Sequence, residues 1–333
     1  MAGWFSRLFR RQQPDVVHIV DPHPPVTTTA DVSTRPAQAK AQVHGTGGAL
    51  RADEHEFLLR FLQPADVRAI SEFSKEDQLF LGGIRNLWHS RKLDLPVLPQ
   101  SALRLRELLR AGDVAISRFV QLVEQDSALA IEVLKAANSA AFGGAAPVQS
   151  TQDAIVRIGL QRLEALLLMS QMRAKVLRAG ALQRKAELLV ELGTPLAQVT
   201  TAHARHLGTD ANVAFTRATL LHVEHLVILG AVAEVSQLHK QTLVPSLDAV
   251  HQAFLTFGPD IRDAVARAWQ LEELLLGYDP GEFADEFAGL RDAVMARWLG
   301  QPLPPVAGVD PSLADTLLEP IPTRVHQAAS TAA

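Results

Sequence analysis

The chain has 333 residues, with 32 basic against 36 acidic, no cysteine, 47% hydrophobic residues and 5% aromatic ones. The missing thiols exclude disulfides, thiolate catalysis, thiolate zinc sites and iron–sulfur clusters, and the near-balanced charge gives no reason to expect nucleic acid as a partner. Small aliphatic residues must fill the core, which suits closely packed helices, and no uninterrupted apolar run approaches the length of a membrane span.

Residues 2–11 read AGWFSRLFRR. Drawn as a helix, they put Trp4, Phe5, Leu8 and Phe9 on one face, flanked by Arg7, Arg10 and Arg11, with no acid before Asp15. Such a cationic amphipathic segment suits an anionic membrane surface or a groove on a partner. It has neither the long apolar stretch nor the cleavage site of a signal peptide, so the expected compartment is the cytoplasm, with peripheral contact at the inner membrane through 2–11. Residues 12–50 follow without a sustained apolar period, carrying Pro22, Pro24, Pro25, Pro36 and GTGG at 45–48. Residues 1–50 are predicted to be a disordered tail, because they cannot bury enough apolar area to offset chain entropy. Residues 51–94 read as an N-terminal helical extension. One helix spans 53–62 with Phe57, Leu58 and Phe61 on one face, and Gln63-Pro64 stops it; a second spans about 75–89 with Leu79, Phe80, Ile84, Leu87 and Trp88. Large apolar residues at this spacing are expected in the core. LDLPVLPQ at 93–100 is a Pro-punctuated connector.

Helices then follow in quick succession. Leu103, Leu105, Leu108 and Leu109 mark the first, Gly112-Asp113 closes it and caps the next, and Ile116, Phe119, Val120 and Val123 follow the helical template. Leu129, Val133, Ala136 and Ala137 mark another, and Ser150 with Asp153 has capping-box spacing ahead of Ile155 and Ile158. Gly159 is a break before an apolar helix at 160–178. Further helices are predicted at 182–192, 195–207, 211–239 (as one helix or two), 246–257, 260–276 and 283–299. Pro195 suits a first helical turn and Gly208 a C-terminal cap. Residues 301–333, with QPLPPVAGVDP and a final QAASTAA, read as a Pro-rich disordered tail. No alternating strand pair with a hairpin turn occurs, so the fold class is all-α.

Three stretches carry a family resemblance: LPVLPQSALRLRELL at 95–109, VEQDSALAIEVLKAANSAAFG at 123–143 and STQDAIVRIGLQRLEALLL at 150–168. Together they resemble the HDOD domain, the HD-related output domain of bacterial signalling proteins. Asp126, Ala137, Asn138, Ser139, Phe142, Ala154, Ile155 and Gly159 stand where the family's hallmarks stand. The resemblance covers about 95–298 and puts an HDOD domain at 95–300. It implies an all-α, multi-helix, HD-like orthogonal bundle, here with an extra N-terminal helical segment and flexible tails. It also implies a role in regulating responses such as motility, biofilm or stress output, and the expected action is contact with other signalling proteins, with no cofactor. Read as residues alone, Asn138 and Ser139 shape a turn after a helix.

HDOD domains resemble the HD phosphohydrolases, whose His-Asp pair holds catalytic metal in a stretch like L-L-H-D-I-G. The matching stretch here is Leu220-Leu221-His222-Val223-Glu224-His225: the His stays, and Val223 replaces the Asp. Valine cannot ligate a metal. No His stands near Leu192–Pro195, and none follows AWQLEELLLGYDP at 268–280, so the expectation is no metal and no catalytic residue. The alternative is a divergent metal-dependent HD-type phosphohydrolase in which His203 with His206 and His222 with His225, each an i, i+3 pair, hold zinc between helices. A second alternative, a nucleotide- or RNA-binding regulator, lacks a basic stripe with stacking aromatics. There is no G-x-S-x-G elbow, and the GTGG at 45–48 lacks the Lys and Ser/Thr of a phosphate loop. Asp126 and Glu132 read as solvated helix-surface acids.

Overall fold

The computed structural model describes residues 49–324 except 64–65, 97–99, 113–114, 139–141, 143–145, 178, 273–282 and 307. The segment 2–11, with Trp4, Phe5, Arg7, Leu8, Phe9, Arg10 and Arg11, lies outside the described residues, as do Ser139 and Asp113. Among the described residues the regular structure is helical and no strand occurs.

The N-terminal extension supplies α1 (Ala52–Leu59), a 3-10 turn (Arg60–Leu62) and α2 (Lys75–His89). Next come α3 (Gln100–Ala111), α4 (Ile116–Glu124), α5 (Ser127–Ala137), α6 (Thr151–Ile158) and α7 (Leu160–Leu177). The second half holds α8 (Gln183–Leu207), α9 (Ala211–Leu220), α10 (Val223–His239), α11 (Leu247–Ala268), α12 (Phe283–Leu299) and α13 (Pro311–Leu318). Side-chain caps fix several starts by answering otherwise unpaired backbone N–H groups. Ser74, Ser150, Asp210, Ser246 and Asp310 each accept from the first turn of the helix that follows. Gly208 ends α8 at φ +70, in the left-handed region that glycine enters without a Cβ clash.

The core is organised around α10, whose residues from Val223 to Val232 are all buried. A helix apolar on every side needs neighbours all round, and α10 packs on α2, α7, α8 and α11. The contact with α2 is tight: a Cβ built on Gly83 would collide with the Val235 side chain. The stretch Ala211–His239 is long and apolar enough by composition to cross a membrane, but most of it is buried in the bundle, and the helix breaks at Leu221–His222 between α9 and α10.

Four sequence expectations are corrected. The helices expected at 182–192 and 195–207 are one helix, α8, with Pro195 inside and buried, not at a first turn. Those at 246–257 and 260–276 are likewise one helix, α11, with Pro259 inside and its end at Ala268. An internal proline costs about 3 kcal/mol. In α11 that is outweighed by a stripe continuing past the proline, in which Val250, Phe254, Phe257, Ile261 and Val265 are all buried, each worth about 1.5–3 kcal/mol. The disordered tail predicted at 301–333 is instead structured through Arg324: Val306, Val309, Leu318 and Ile321 are buried, and Arg324 N donates to Trp298 O at 2.7 Å. Residues 307 and 325–333 lie outside the described residues there. At the other end Leu50, assigned to the N-terminal tail, is 2% exposed and joins the core.

Candidate functional site

The residues that carried the family resemblance hold the first half of the bundle together. Asp126 Oδ1 accepts from Leu129 N at 3.1 Å at the start of α5. At its end Asn138 uses both ends of its amide on Val148: Nδ2 donates to Val148 O at 2.9 Å, and Oδ1 accepts from Val148 N at 2.8 Å. That pair ties the end of α5 to the approach to α6. Ile155 is buried in α6, and Gly159, at φ +84, turns the chain into α7. Phe142 packs its ring 5.3 Å from Phe215 of α9. The connector is tied to the far half by Trp269, fully buried, whose Nε1 donates to Pro96 O at 2.8 Å.

A different set of side chains meets where α10 begins. His222 ends the α9–α10 corner, and Glu224 and His225 lie in the first turn of α10; all three are buried. His222 Nδ1 and His225 Nδ1 are 3.4 Å apart, so one ring donates to the other and the tautomers are linked. Glu224 Oε1 accepts from Arg262 Nη2 of α11 and lies 3.4 Å from His225 Nδ1. Phe61, from the 3-10 turn of the N-terminal extension, packs its ring 6.0 Å from His222, 5.4 Å from His225, 5.7 Å from His251 and 5.7 Å from Phe254. A residue of the extension therefore packs into a cluster of rings formed by α10 and α11.

Burial is the main force on the two imidazoles. It drives His222 well below the ordinary histidine range, with His225 and Arg291 adding to the effect against Glu224. It also drives His225 well below that range, with Arg262, Arg291 and His251 adding to it. Both rings are neutral at pH 7. Burial alone would lower Arg262, but Glu224 overrides it and raises that guanidinium above its usual value. Glu224 Oε2 and His222 Nε2 are buried with no hydrogen-bond partner among the described residues.

These residues fit a catalytic metal poorly. Val223, between His222 and Glu224, is buried and offers no atom that could ligate a metal. The neighbouring carboxylate spends Oε1 on a guanidinium, and the cationic field that depresses both imidazoles opposes a dication. The proposed zinc pairs do not converge: His203 is buried in α8, whereas His206 is exposed. Among the described residues no group of three or more His, Asp or Glu side chains is arranged to hold an ion. Of the site residues, His222 and His225 were visible in the sequence. Phe61, His251, Phe254 and Arg262 were not, since each reaches the cluster from a distant element. The only sequence signal was the apolar spacing that put Phe61 in the core.

The HDOD domain profile matches residues 95–277. The fold is similar to that of a Shewanella amazonensis protein named as a metal-dependent phosphohydrolase, with 17% identity, a TM-score of 0.52, and 74% of this chain and 89% of that chain covered. An HDOD domain protein of unknown function from Geobacter sulfurreducens shares 21% identity at a TM-score of 0.43, covering 75% of this chain and 82% of that one. Among curated proteins, an uncharacterized protein of Treponema pallidum is 38% identical over 74 residues, which span 22% of this chain and 14% of that relative's length.

Proposed function

Because the chain belongs to the HDOD domain family, we propose that it is a non-catalytic regulatory protein of bacterial signalling that acts by contact with other signalling proteins. The observation that carries this reading is the Arg262–Glu224 pair beneath Val223. Water activation needs carboxylates and imidazoles free to face a cation. Here the nearest carboxylate faces a guanidinium, and the position expected to hold a second carries an isopropyl group. The name of the Shewanella relative raises the hydrolase alternative, and that alternative requires Arg262 to leave and another carboxylate to arrive. Residues 2–11 complete the proposal as a weak contact with an anionic membrane surface, through Trp4, Phe5, Leu8 and Phe9 on one face and Arg7, Arg10 and Arg11 beside it.

The test is a panel of nucleotides and phosphodiesters offered to the full chain with manganese, magnesium or zinc ions added. No turnover above the metal-only blank is expected. Turnover that disappears in His222→Ala would overturn the proposal.

A further inference from the structure

His251 belongs to two environments. Its ring packs on Phe61, and it also lines a cleft of about 390 Å3 whose walls include Arg60, Gln63, Asp66 and Arg68 on one side and the first half of α11 on the other. Two guanidiniums converge on one carboxylate in this cleft: Arg60 Nη1 donates to Asp248 Oδ1, and Arg68 Nη2 lies 3.5 Å from Asp248 Oδ2. Arg68 is held in place twice over. Its guanidinium sits 4.3 Å from the Phe73 ring centroid, and its backbone is gripped by Gln252, which accepts from Arg68 N at 3.0 Å and donates to Arg68 O at 3.2 Å. Gln252 is only 4% exposed, so a buried amide is committed to fixing this wall. His251 Nδ1 is buried with no hydrogen-bond partner among the described residues. Burial first, then Arg60 and Arg291, lower the His251 ring against the opposing pull of Asp248, so the cationic field prevails around it.

We propose that this cleft binds a small oxyanion, the carboxylate or phosphate group of a low-molecular-weight ligand, on Arg60, Arg68 and His251, with Asp248 as the internal anion it displaces. A guanidinium offers five donors in a planar fork matched to such groups. Asp248 serves both, and Arg60 Nη2 also donates to Glu56 Oε1 at 3.3 Å, which together leave most of those donors unspent. The lining also sets the size of the ligand. Asp66 and Asp248 balance Arg60 and Arg68 in formal charge, which favours a single oxyanion over an extended polyanion such as a nucleic acid strand. This site is independent of the protein-contact reading above.

The experiment titrates the full chain with inorganic phosphate and, separately, with citrate, at an ionic strength held constant with chloride. Calorimetry reads the affinity, and NMR of the His251 ring protons reads the place. Saturable one-to-one binding with a His251 shift is expected for at least one probe, and the stronger probe identifies the group as phosphate or carboxylate. Arg68→Gln should weaken it by about fivefold, the value of one partly exposed charge contact. Asp248→Asn removes the competing carboxylate and should tighten binding by about fivefold on the same scale, a gain that misfolding cannot imitate. No saturation below about 10 mM, a response matched by chloride, or Asp248→Asn binding no tighter than the parent chain would each overturn the proposal.

Discussion

Glu54 and Glu224 are both almost fully buried, at 3% and 1% exposure, yet their surroundings differ. Glu54 belongs to a brace. Its Oε1 accepts from Arg184 Nε at 2.8 Å and from Arg51 Nε at 3.0 Å, and its Oε2 accepts from Arg51 N at 2.8 Å. Arg184 reaches on to Glu187 and Glu191, and Glu191 takes its other bond from Arg324 Nη1 at 2.8 Å. This chain of ion pairs ties α1 and the C-terminal segment, both outside the matched region 95–277, to α8 within it. Glu224 has one answered oxygen and one unanswered one, beside an imidazole in the same condition. A fully answered network holds segments together and leaves nothing for a ligand. A half-answered buried cluster is retained at a cost in stability, and the ring of Phe61 shields it.

The largest expected effect comes from breaking the brace at its C-terminal end. A chain stopped at Gly300 loses Val306, Val309, Leu318 and Ile321 from the core along with Arg324. At about 1.5 kcal/mol or more per buried side chain, the gross loss is about 6 kcal/mol, comparable with the whole stability of a domain. Thermal unfolding followed by circular dichroism should show a broad, strongly lowered transition. An unchanged midpoint would mean that the C-terminal segment is dispensable and the brace decorative.

The cluster should break next most severely. Arg262→Ala leaves the Glu224 carboxylate buried without its guanidinium, at about 3 kcal/mol, the low end for a buried pair because the Arg262 side chain is 40% exposed. Adding Glu224→Gln should recover part of that loss in urea unfolding, since a neutral amide no longer carries a stranded charge. A double variant no better than Arg262→Ala would show that lost packing, and not charge, was at work.

How far each region was legible follows from the range of the interactions that make it. Local signals read correctly: Ser150 was assigned as a cap, and its Oγ accepts from Asp153 N at 3.0 Å. The prolines misled because helix propensity is local, whereas the stripe that carries α11 through Pro259 is repaid by other helices. The C-terminal segment had a readable start, since Asp310-Pro311 places a capping side chain before a proline that suits a first turn. The prolines at 302, 304 and 305 obscured it by composition. The cluster was half legible. His222 and Val223 stood at a recognisable motif position, but Arg262 lies 38 residues from Glu224, and nothing in either local pattern pairs them.

Acid separates the two regions by where on the pH scale each fails. His222 and His225 titrate lower in the folded chain than when unfolded, mainly through burial. The unfolded chain therefore takes up protons first as pH falls. Their contribution is complete above the unfolded value near 6.5 and is lost progressively below it, at about 1.4 kcal/mol per imidazole for the first full unit. In the brace, the Lys185 ammonium holds Asp53 below its ordinary value. Burial would raise Glu54, but Arg51 N–H and Arg184 outweigh it and hold that carboxyl low. These contributions are complete above the unfolded carboxylate value near 4.3 and vanish only as pH falls through the folded values. Stability measured in urea from pH 8 to 3 should therefore fall in two stages, and only the upper stage should flatten in His222→Asn. A flat profile between pH 7 and 5.5 would contradict neutral buried imidazoles.

The smallest effect is the sharpest probe of redundancy. Glu191→Gln removes a carboxylate that serves both Arg184 and Arg324, yet each cation keeps other company. Arg184 still holds Glu54 and Glu187, and Arg324 stays over the Trp298 ring at 4.6 Å. Glu191 is also 30% exposed, so water and salt already share its charge. The expected cost is about 1 kcal/mol or less at low salt, and it should shrink at about 1 M salt, where screening acts within some 3 Å. The Arg262→Ala cost should move less under the same conditions, because the charge it strands is on Glu224, which is 1% exposed. If the Glu191 substitution instead proved as costly and as salt-insensitive as the Arg262 one, the brace would be no less a buried site than the cluster. The distinction between answered and unanswered carboxylates would then lose its physical basis.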